Sequence, residues 1–262
     1  MGVQFANETT EYRQARDKLL GEEIALRRHM ESVAAQRRQL PSGPTVKQDY
    51  VFDGLGVDGE PAKIKLSELF REGTDTLLVY HYMFPRHPQE KRAGASQGKT
   101  ASLPVKDQPC PSCTSILDQI DAAVPHYDAA GKSFAVVAKT SLDRLLDVGR
   151  DRGWRNMRLL SAKDNTFKRD YMSEDEHGAQ IPIMTVFKRE PDGTIRLFWA
   201  SELTYAPSDP GQDPRAIGTL ETFWNMIDLG PGGRPDFQAR LDYQKHGENC
   251  CHGAKSRAPS DA

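Results

Sequence analysis

Two hydrophobic periods alternate along this chain. Thr76-Leu-Leu-Val-Tyr-His-Tyr-Met-Phe84 is almost continuously apolar over a strand's length, the pattern of a strand buried on both faces of a sheet flanked by helices. Further on, Cys113, Ile116, Leu117, Ile120 and Val124 recur at helical spacing and mark one face of a helix. Pro111 then falls in that helix's first turn, where its missing N–H costs nothing. Phe134 to Ala138 predicts the next strand, and Ser141 can cap a helix carrying Leu142, Leu145, Leu146 and Val148. Met157 to Leu160 predicts another strand. Strands alternating with helices in this way form parallel, right-handed crossovers.

The flanks complete the picture. Tyr50 to Phe52 predicts a first strand, Gly54 to Pro61 a turn-rich connection, and Leu66, Leu69 and Phe70 a short helical turn. Ile183 to Lys188 and Thr194 to Trp199 are strands joined by Glu190-Pro-Asp-Gly193, a hairpin turn signal that makes the sheet mixed. Ala216, Leu220, Phe223, Trp224 and Ile227 suggest a last helix. At the other end, Thr10 to Leu40 predicts a charged amphipathic helix stopped by Pro41, free to pack on the domain or on a second subunit as a homodimer contact. The segment from Pro85 to Pro109 carries five basic residues against two acidic ones and almost nothing to bury. It is expected to be an inserted loop acting as a mobile flap beside Cys110. The expected division is an N-terminal helical extension over 1–45, an α/β domain over 46–238, and a polar, disordered tail over 239–262.

Charge narrows the partners. The 262 residues hold 35 Lys plus Arg against 37 Asp plus Glu, a balance that argues against nucleic acid or a membrane surface. Met1 to Thr10 lacks the apolar stretch of a signal peptide, and no apolar run approaches the length of a bilayer span, so a cytoplasmic protein is expected. Only four cysteines occur: Cys110, Cys113, Cys250 and Cys251. In a reducing compartment such pairs mean redox chemistry or metal binding more often than structural bridges.

Cys110-Pro-Ser-Cys113 at the start of a helix carries the most specific chemistry. Thiols at i and i+3 meet across the first helical turn, and the unpaired N–H groups there favour a thiolate. Cys110, nearest that end, is the expected nucleophile. Cys113, one turn in and on the apolar face, suits the resolving role. No organic cofactor is implied. Half of a zinc site has the same spacing, and the further ligands would come from His246, Cys250, Cys251 and His252. That metal-binding reading, exchange between the tail cysteines and Cys113, and non-catalytic partner binding all stay open. His81 and His126 suit structural positions better than catalytic ones, and Trp154 suits the core. The loop cations Arg86, Lys91, Arg92 and Lys99 suit a solvated surface better than recruitment of acidic substrates.

The order of Leu19-Leu20 with Glu22-Glu23, Arg37-Arg-Gln-Leu-Pro41, Tyr50-Val-Phe52, Leu66-Ser-Glu-Leu-Phe70, Tyr80-His-Tyr-Met-Phe84, the CPSC motif, His126, Gly153-Trp154 and Asp228-Leu229 resembles an uncharacterised bacterial thioredoxin-like family of predicted dithiol-disulfide oxidoreductases. The resemblance covers Glu11 to about Phe237. It implies an α/β, thioredoxin-like three-layer fold with a central mixed sheet, and a protein or small-molecule thiol or disulfide as substrate. It also makes Pro182 similar to the superfamily's cis-proline, with Ile181 offering backbone hydrogen bonds to substrate and Pro111 and Ser112 positioning it from the motif. Two departures stand out: Pro109 replaces the family's glycine before the first cysteine, and the link into the motif is longer. Asp107, three residues before Cys110, occupies the position where a classical peroxiredoxin has threonine or serine.

Overall fold

The computed structural model describes residues 3–207, 209–210, 218–232 and 234–243. Its centre is a seven-stranded mixed sheet with the order β2-β1-β5-β4-β3-β6-β7. The strands are β1 (Val51–Leu55), β2 (Pro61–Lys65), β3 (Thr76–Tyr82), β4 (Lys132–Ala138), β5 (Arg158–Ser161), β6 (Ile183–Arg189) and β7 (Ile195–Ala200). β3, β4 and β5 run parallel, while β6 and β7 add an antiparallel hairpin at one side and β1 with β2 another at the other. The helices are α1 (Thr10–Arg38), α2 (Pro111–Ile120), α3 (Val124–Ala129), α4 (Leu142–Arg152), α5 (Phe167–Asp170) and α6 (Thr222–Ile227).

The parallel centre explains the layers. Each crossover between neighbouring parallel strands must be right-handed, and β3-α2-β4 and β4-α4-β5 step in the same direction across the sheet. Both helices therefore lie on one face. There Ile116, Leu117, Leu145 and Val148 pack on Tyr80, Tyr82, Val136 and Ala138. The alternate residues of the same strands, Leu77, Val79, Ala135 and Val137, meet the opposite layer, where the 3-10 turn Leu66–Leu69 and Phe167 of α5 cover them. The result is the thioredoxin-like three-layer α/β fold, with β3, between β4 and β6, delivering the chain to the start of α2.

Phe167 organises the second layer. It is fully buried, and Tyr50, Phe52, His81, Tyr171 and Phe187 surround it with ring centroids 4.8–6.0 Å away. His81 stacks on it and spends both ring nitrogens locally, Nδ1 with Ser173 Oγ at 2.7 Å and Nε2 with Thr185 Oγ1 at 2.9 Å. His81 is thus a satisfied core residue.

Several expectations change. The stretch after Gly54 holds more than a connection: β1 continues to Leu55 and β2 pairs back on it with Val51 opposite Lys65. Lys-rich Pro61–Lys65 shows little alternation because only Ile64 among its residues is buried, so its edge position hid it. The last helix spans only Thr222–Ile227, and Ala216 lies outside the described residues. The disordered tail does not begin at 239, for Ala239 and Leu241 are buried. α1 is capped by Thr9, whose Oγ1 accepts from Tyr12 N at 3.1 Å, and contains no buried residue. It touches the domain where the Arg37 guanidinium lies 5.1 Å from the Trp199 ring centroid. Among the described residues no helix is long and apolar enough to cross a membrane.

Phe167→Ala removes a fully enclosed ring, so it should lower the unfolding free energy by about 3–5 kcal/mol. Urea unfolding followed by near-ultraviolet circular dichroism reads this as an earlier midpoint.

Candidate functional site

The site forms where β3 ends. Cys110 N donates to Met83 O at 2.9 Å, which ties the motif to the strand's exit. Cys110 is the N-cap of α2, with Pro111 in the first turn. Its carbonyl accepts from Thr114 N at 3.0 Å and from Thr114 Oγ1 at 2.9 Å, while Tyr82 Oη lies 2.6 Å from that hydroxyl. The motif's backbone is therefore held by the helix below and by a tyrosine from the sheet.

Both thiols are free and almost wholly enclosed, Cys110 at 2% exposure and Cys113 at 1%. Burial hardly separates the two sulfurs. They differ instead in their hydrogen bonding. The Cys113 thiol donates to Cys110 and draws its pKa down to about 7; backbone N–H groups of the motif and the Arg92 guanidinium help, against the opposing effect of burial. Cys113 moves the other way, because burial disfavours its charged form and its hydrogen bond to Cys110 favours the thiol. The pair is thus polarised, with Cys110 the thiol that ionises first.

Around Cys113 stand two buried groups. The Tyr80 hydroxyl faces its sulfur and has no nitrogen or oxygen partner. Lys168 of α5 is fully buried, with Nζ donating to Tyr82 O at 3.0 Å. Burial brings the Lys168 amine down to about 7, against the favourable influence of Cys113. On the other side, burial lifts the Glu221 carboxyl to about 7, and its interaction with Cys110 adds to the rise.

The roof is the segment from Pro85 to Pro109. It packs over the site, with Arg86, Thr100 and Gln108 buried. Asp151 of α4 pins it by accepting from Lys99 N, Thr100 N and Thr100 Oγ1 at 3.1, 2.7 and 2.6 Å. Gly98 enters that clasp at φ 73°, and a Cβ there would lie 2.5 Å from the Asp151 carboxylate, so glycine is required. Arg92 reaches inward from this cover. Its Nη2 lies 3.9 Å from Cys110 Sγ, its Nη1 donates to Ser112 Oγ at 2.9 Å and to Ala239 O at 3.0 Å, and Glu90 holds the rest of the guanidinium. Arg86 supports it by donating to Arg92 O at 2.8 Å, leaving its own Nε and Nη2 unpartnered.

Two loop cations assigned to solvent are therefore built into the site. Their signal was their position in a segment leading directly to Cys110; their spacing carries none. The cis peptide bond also differs: it is Phe84–Pro85, at the exit of β3, whereas Ile181–Pro182 is trans. By register Ile183 pairs with His81, which brings Ile181 and Pro182 to the same end of the sheet as Met83 and the motif. Trp154 is a packed ring whose Nε1 donates to Asp118 at 2.9 Å. No group of three or more His, Cys, Asp or Glu is gathered for a metal among the described residues. His246, Cys250, Cys251 and His252 lie outside them.

Residues 1–249 match the model of a bacterial protein family of unknown function, DUF899. The chain belongs to DUF899. No curated protein matches this DUF899 chain significantly. Solved structures similar to it include peroxiredoxin Q of Xanthomonas campestris, at 15% identity over 70% of this chain and 98% of that one, with a TM-score of 0.40. The mitochondrial 2-Cys peroxiredoxin of Plasmodium falciparum shares 13% identity over 72% of the DUF899 chain and 95% of its own, with a TM-score of 0.41. A hypothetical protein of Sinorhizobium meliloti 1021 shares 18% identity over 67% and 76%, with a TM-score of 0.39.

Direct ultraviolet titration of the Cys110 thiolate should show a midpoint near pH 7. Cys113→Ala should raise it most, by removing the largest stabilising contact; Arg92→Ala should raise it less. Glu221→Gln should lower it by removing a negative charge. At pH values below the midpoint, alkylation of Cys110 slows about tenfold for each unit the pKa rises. An unmoved midpoint in Cys113→Ala and Arg92→Ala would contradict this account of the charge.

Proposed function

We propose that this DUF899 chain is a thiol-disulfide oxidoreductase that works through Cys110 and Cys113. One observation carries the reading: two free thiols three residues apart at a helix N-terminus, with a guanidinium 3.9 Å from the Cys110 sulfur. This arrangement stabilises charge on one sulfur and keeps the proton on the other.

Reduction of a substrate disulfide then takes two steps. The Cys110 thiolate attacks one substrate sulfur, forming a mixed disulfide and expelling the other sulfur as a thiolate that takes a proton. Once Cys110 is bonded, the Cys113 thiol has lost its acceptor and gives up its proton. Lys168, whose amine loses its charge through about pH 7, and the Tyr80 hydroxyl are the buried groups that receive or relay it. Cys113 attacks Cys110 Sγ, the substrate leaves as its second thiolate, and a Cys110–Cys113 disulfide remains. Run backwards, the same steps oxidise a dithiol. Low leaving-group pKa favours expulsion of Cys110, so the reduced form of this pair is stabilised. In this reading Ser112, bonded to Arg92, and Ile181 with Pro182 position the substrate, Pro111 sets the helix start, and the substrate is a protein or small-molecule disulfide or thiol.

Cys110→Ser should abolish reduction of an insulin-type disulfide. Cys113→Ala should still form one mixed disulfide per chain, detectable as an intact-mass increase, but should lose turnover by at least a hundredfold. Equal weak activity in both variants and the parent would contradict the proposal.

A further inference from the structure

Of the two arginines in the cover, one is satisfied and the other is not. Arg92 spends its guanidinium on Glu90, Ser112 Oγ and Ala239 O. Glu90 gives both oxygens to it, Oε1 accepting from Arg92 N and Nε, each at 2.8 Å, and Oε2 from Nη2. Arg86 is 3% exposed. Its N donates to Gln108 O at 2.9 Å and its Nη1 to Arg92 O at 2.8 Å. Its Nε and Nη2 are enclosed and have no partner among the described residues. These two donors share one edge of the planar guanidinium and point the same way, the geometry that takes a carboxylate through two parallel hydrogen bonds. Leaving them buried and unpaired is costly, the more so on a charged group.

The electrostatics agree. Burial lowers the Arg86 pKa, and the charges of Glu90 and Cys110 offset only part of this. Arg92 moves the other way: against burial, its hydrogen bond to Glu90 and the charge of Cys110 raise its pKa. The Cys110 thiolate thus interacts with both guanidiniums. That negative charge is lost when Cys110 becomes disulfide-bonded, while Glu90 stays bound to Arg92, so Arg86 is the cation left to be matched. The matching anion must be small. Both sulfurs and the Arg86 edge are enclosed, and the C-terminal segment fastens the cover, with Ala239 O accepting from Arg92, Leu241 O from Arg152 of α4, and Asp242 from Ser96 N and Oγ. A folded partner reaches the sulfurs only if the cover lifts as a whole, whereas a small molecule needs only a gap beside one of these links. A cavity of about 380 Å³ between Ala95, Pro109, Val148 and Leu241 meets the cover at the residue before Cys110, and its volume suits a small molecule.

We propose that Arg86 is the anion-binding residue of the site, its Nε and Nη2 taking a carboxylate of a low-molecular-weight disulfide whose sulfur Cys110 attacks. The inference rests on the Cys110–Cys113 redox reading above and narrows its substrate to small anionic disulfides. The Cys110 thiolate bonds one substrate sulfur, and the other leaves as a thiolate that takes a proton. Cys113 gives up its proton, bonds Cys110 and expels the second substrate thiolate, which is protonated in turn. Two electrons pass from the dithiol of the protein to the substrate, which leaves as two thiols. Arg86 holds the carboxylate throughout and supplies binding and alignment. A neutral disulfide lacks the group that satisfies Arg86, and a cationic one is repelled by it.

The test mixes the reduced full chain with an excess of 3,3′-dithiodipropionate, bis(2-hydroxyethyl) disulfide or cystamine, which carry carboxylates, hydroxyls and ammoniums respectively near the same sulfur–sulfur bond. Acid quenching, alkylation and peptide mapping follow loss of the Cys110–Cys113 dithiol. Each rate is divided by that of the same disulfide with free 2-mercaptoethanol, which removes intrinsic reactivity. At low concentration dithiodipropionate should exceed the hydroxyethyl compound by about tenfold or more and saturate earlier, with cystamine slowest. In Arg86→Gln the ratio of the first two should fall to within about twofold of unity, whatever the absolute rates. In Arg86→Lys, which keeps the charge but loses the paired donors, it should fall about threefold or more. A ratio near unity in the parent chain, or an unchanged ratio in either variant, overturns the assignment to Arg86. If none of the three disulfides oxidises the dithiol, the redox reading itself falls; if all three do so at equal normalised rates, that reading stands and only the anion site falls.

Discussion

A charged sulfur enclosed by protein must obtain from protein the stabilisation that water would otherwise supply. At 2% exposure Cys110 has little solvent contact, and burial alone would push its thiol pKa upward. The hydrogen bond from Cys113 reverses that tendency, and motif backbone N–H groups and Arg92 add to it. The elements around the sulfur supply these contacts: Met83 just beyond β3, the helix that begins at Pro111, and the cover that carries a guanidinium to Cys110.

The same hydrogen bond separates the two thiols chemically. Donating to Cys110 keeps Cys113 protonated, and burial reinforces this. The polarity of the pair is therefore a property of their mutual contact as much as of helix position. It also couples the two steps of exchange, because bonding at Cys110 removes the acceptor that held the Cys113 proton. Tyr80 and Lys168, which would be costly to bury without purpose, lie beside the sulfur that must then ionise.

Enclosure has a mechanical side. Asp151 and Gly98 clamp one end of the cover to α4, while Ala239, Leu241 and Asp242 fasten the C-terminal segment over it. These contacts are short polar links between loop segments, and such links open at lower free energy than core strands. Access to the sulfurs is thus governed by elements distinct from those that set their charge.

Much of the fold was legible because burial on both faces of β3 and on one face of α2 leaves a periodic trace in residue type. The Cys-Pro-Ser-Cys spacing at a helix start likewise announced its chemistry, since the geometry of the first turn is local. β2 escaped because an edge strand of lysines and a single buried isoleucine has no period to detect. Arg86 and Arg92 escaped because a cation facing solvent and a cation facing a thiol are written with the same letter. Pro182 was singled out for the cis bond that belongs to Pro85, since isomer choice depends on the surroundings of the bond. By itself the sequence determined which segments must be buried and where two thiols meet, because both follow from near-neighbour spacing. Only the tertiary structure decided which distant groups surround those thiols, because Arg92, Lys168, Glu221 and Ala239 come together through folds of the chain that no local period records.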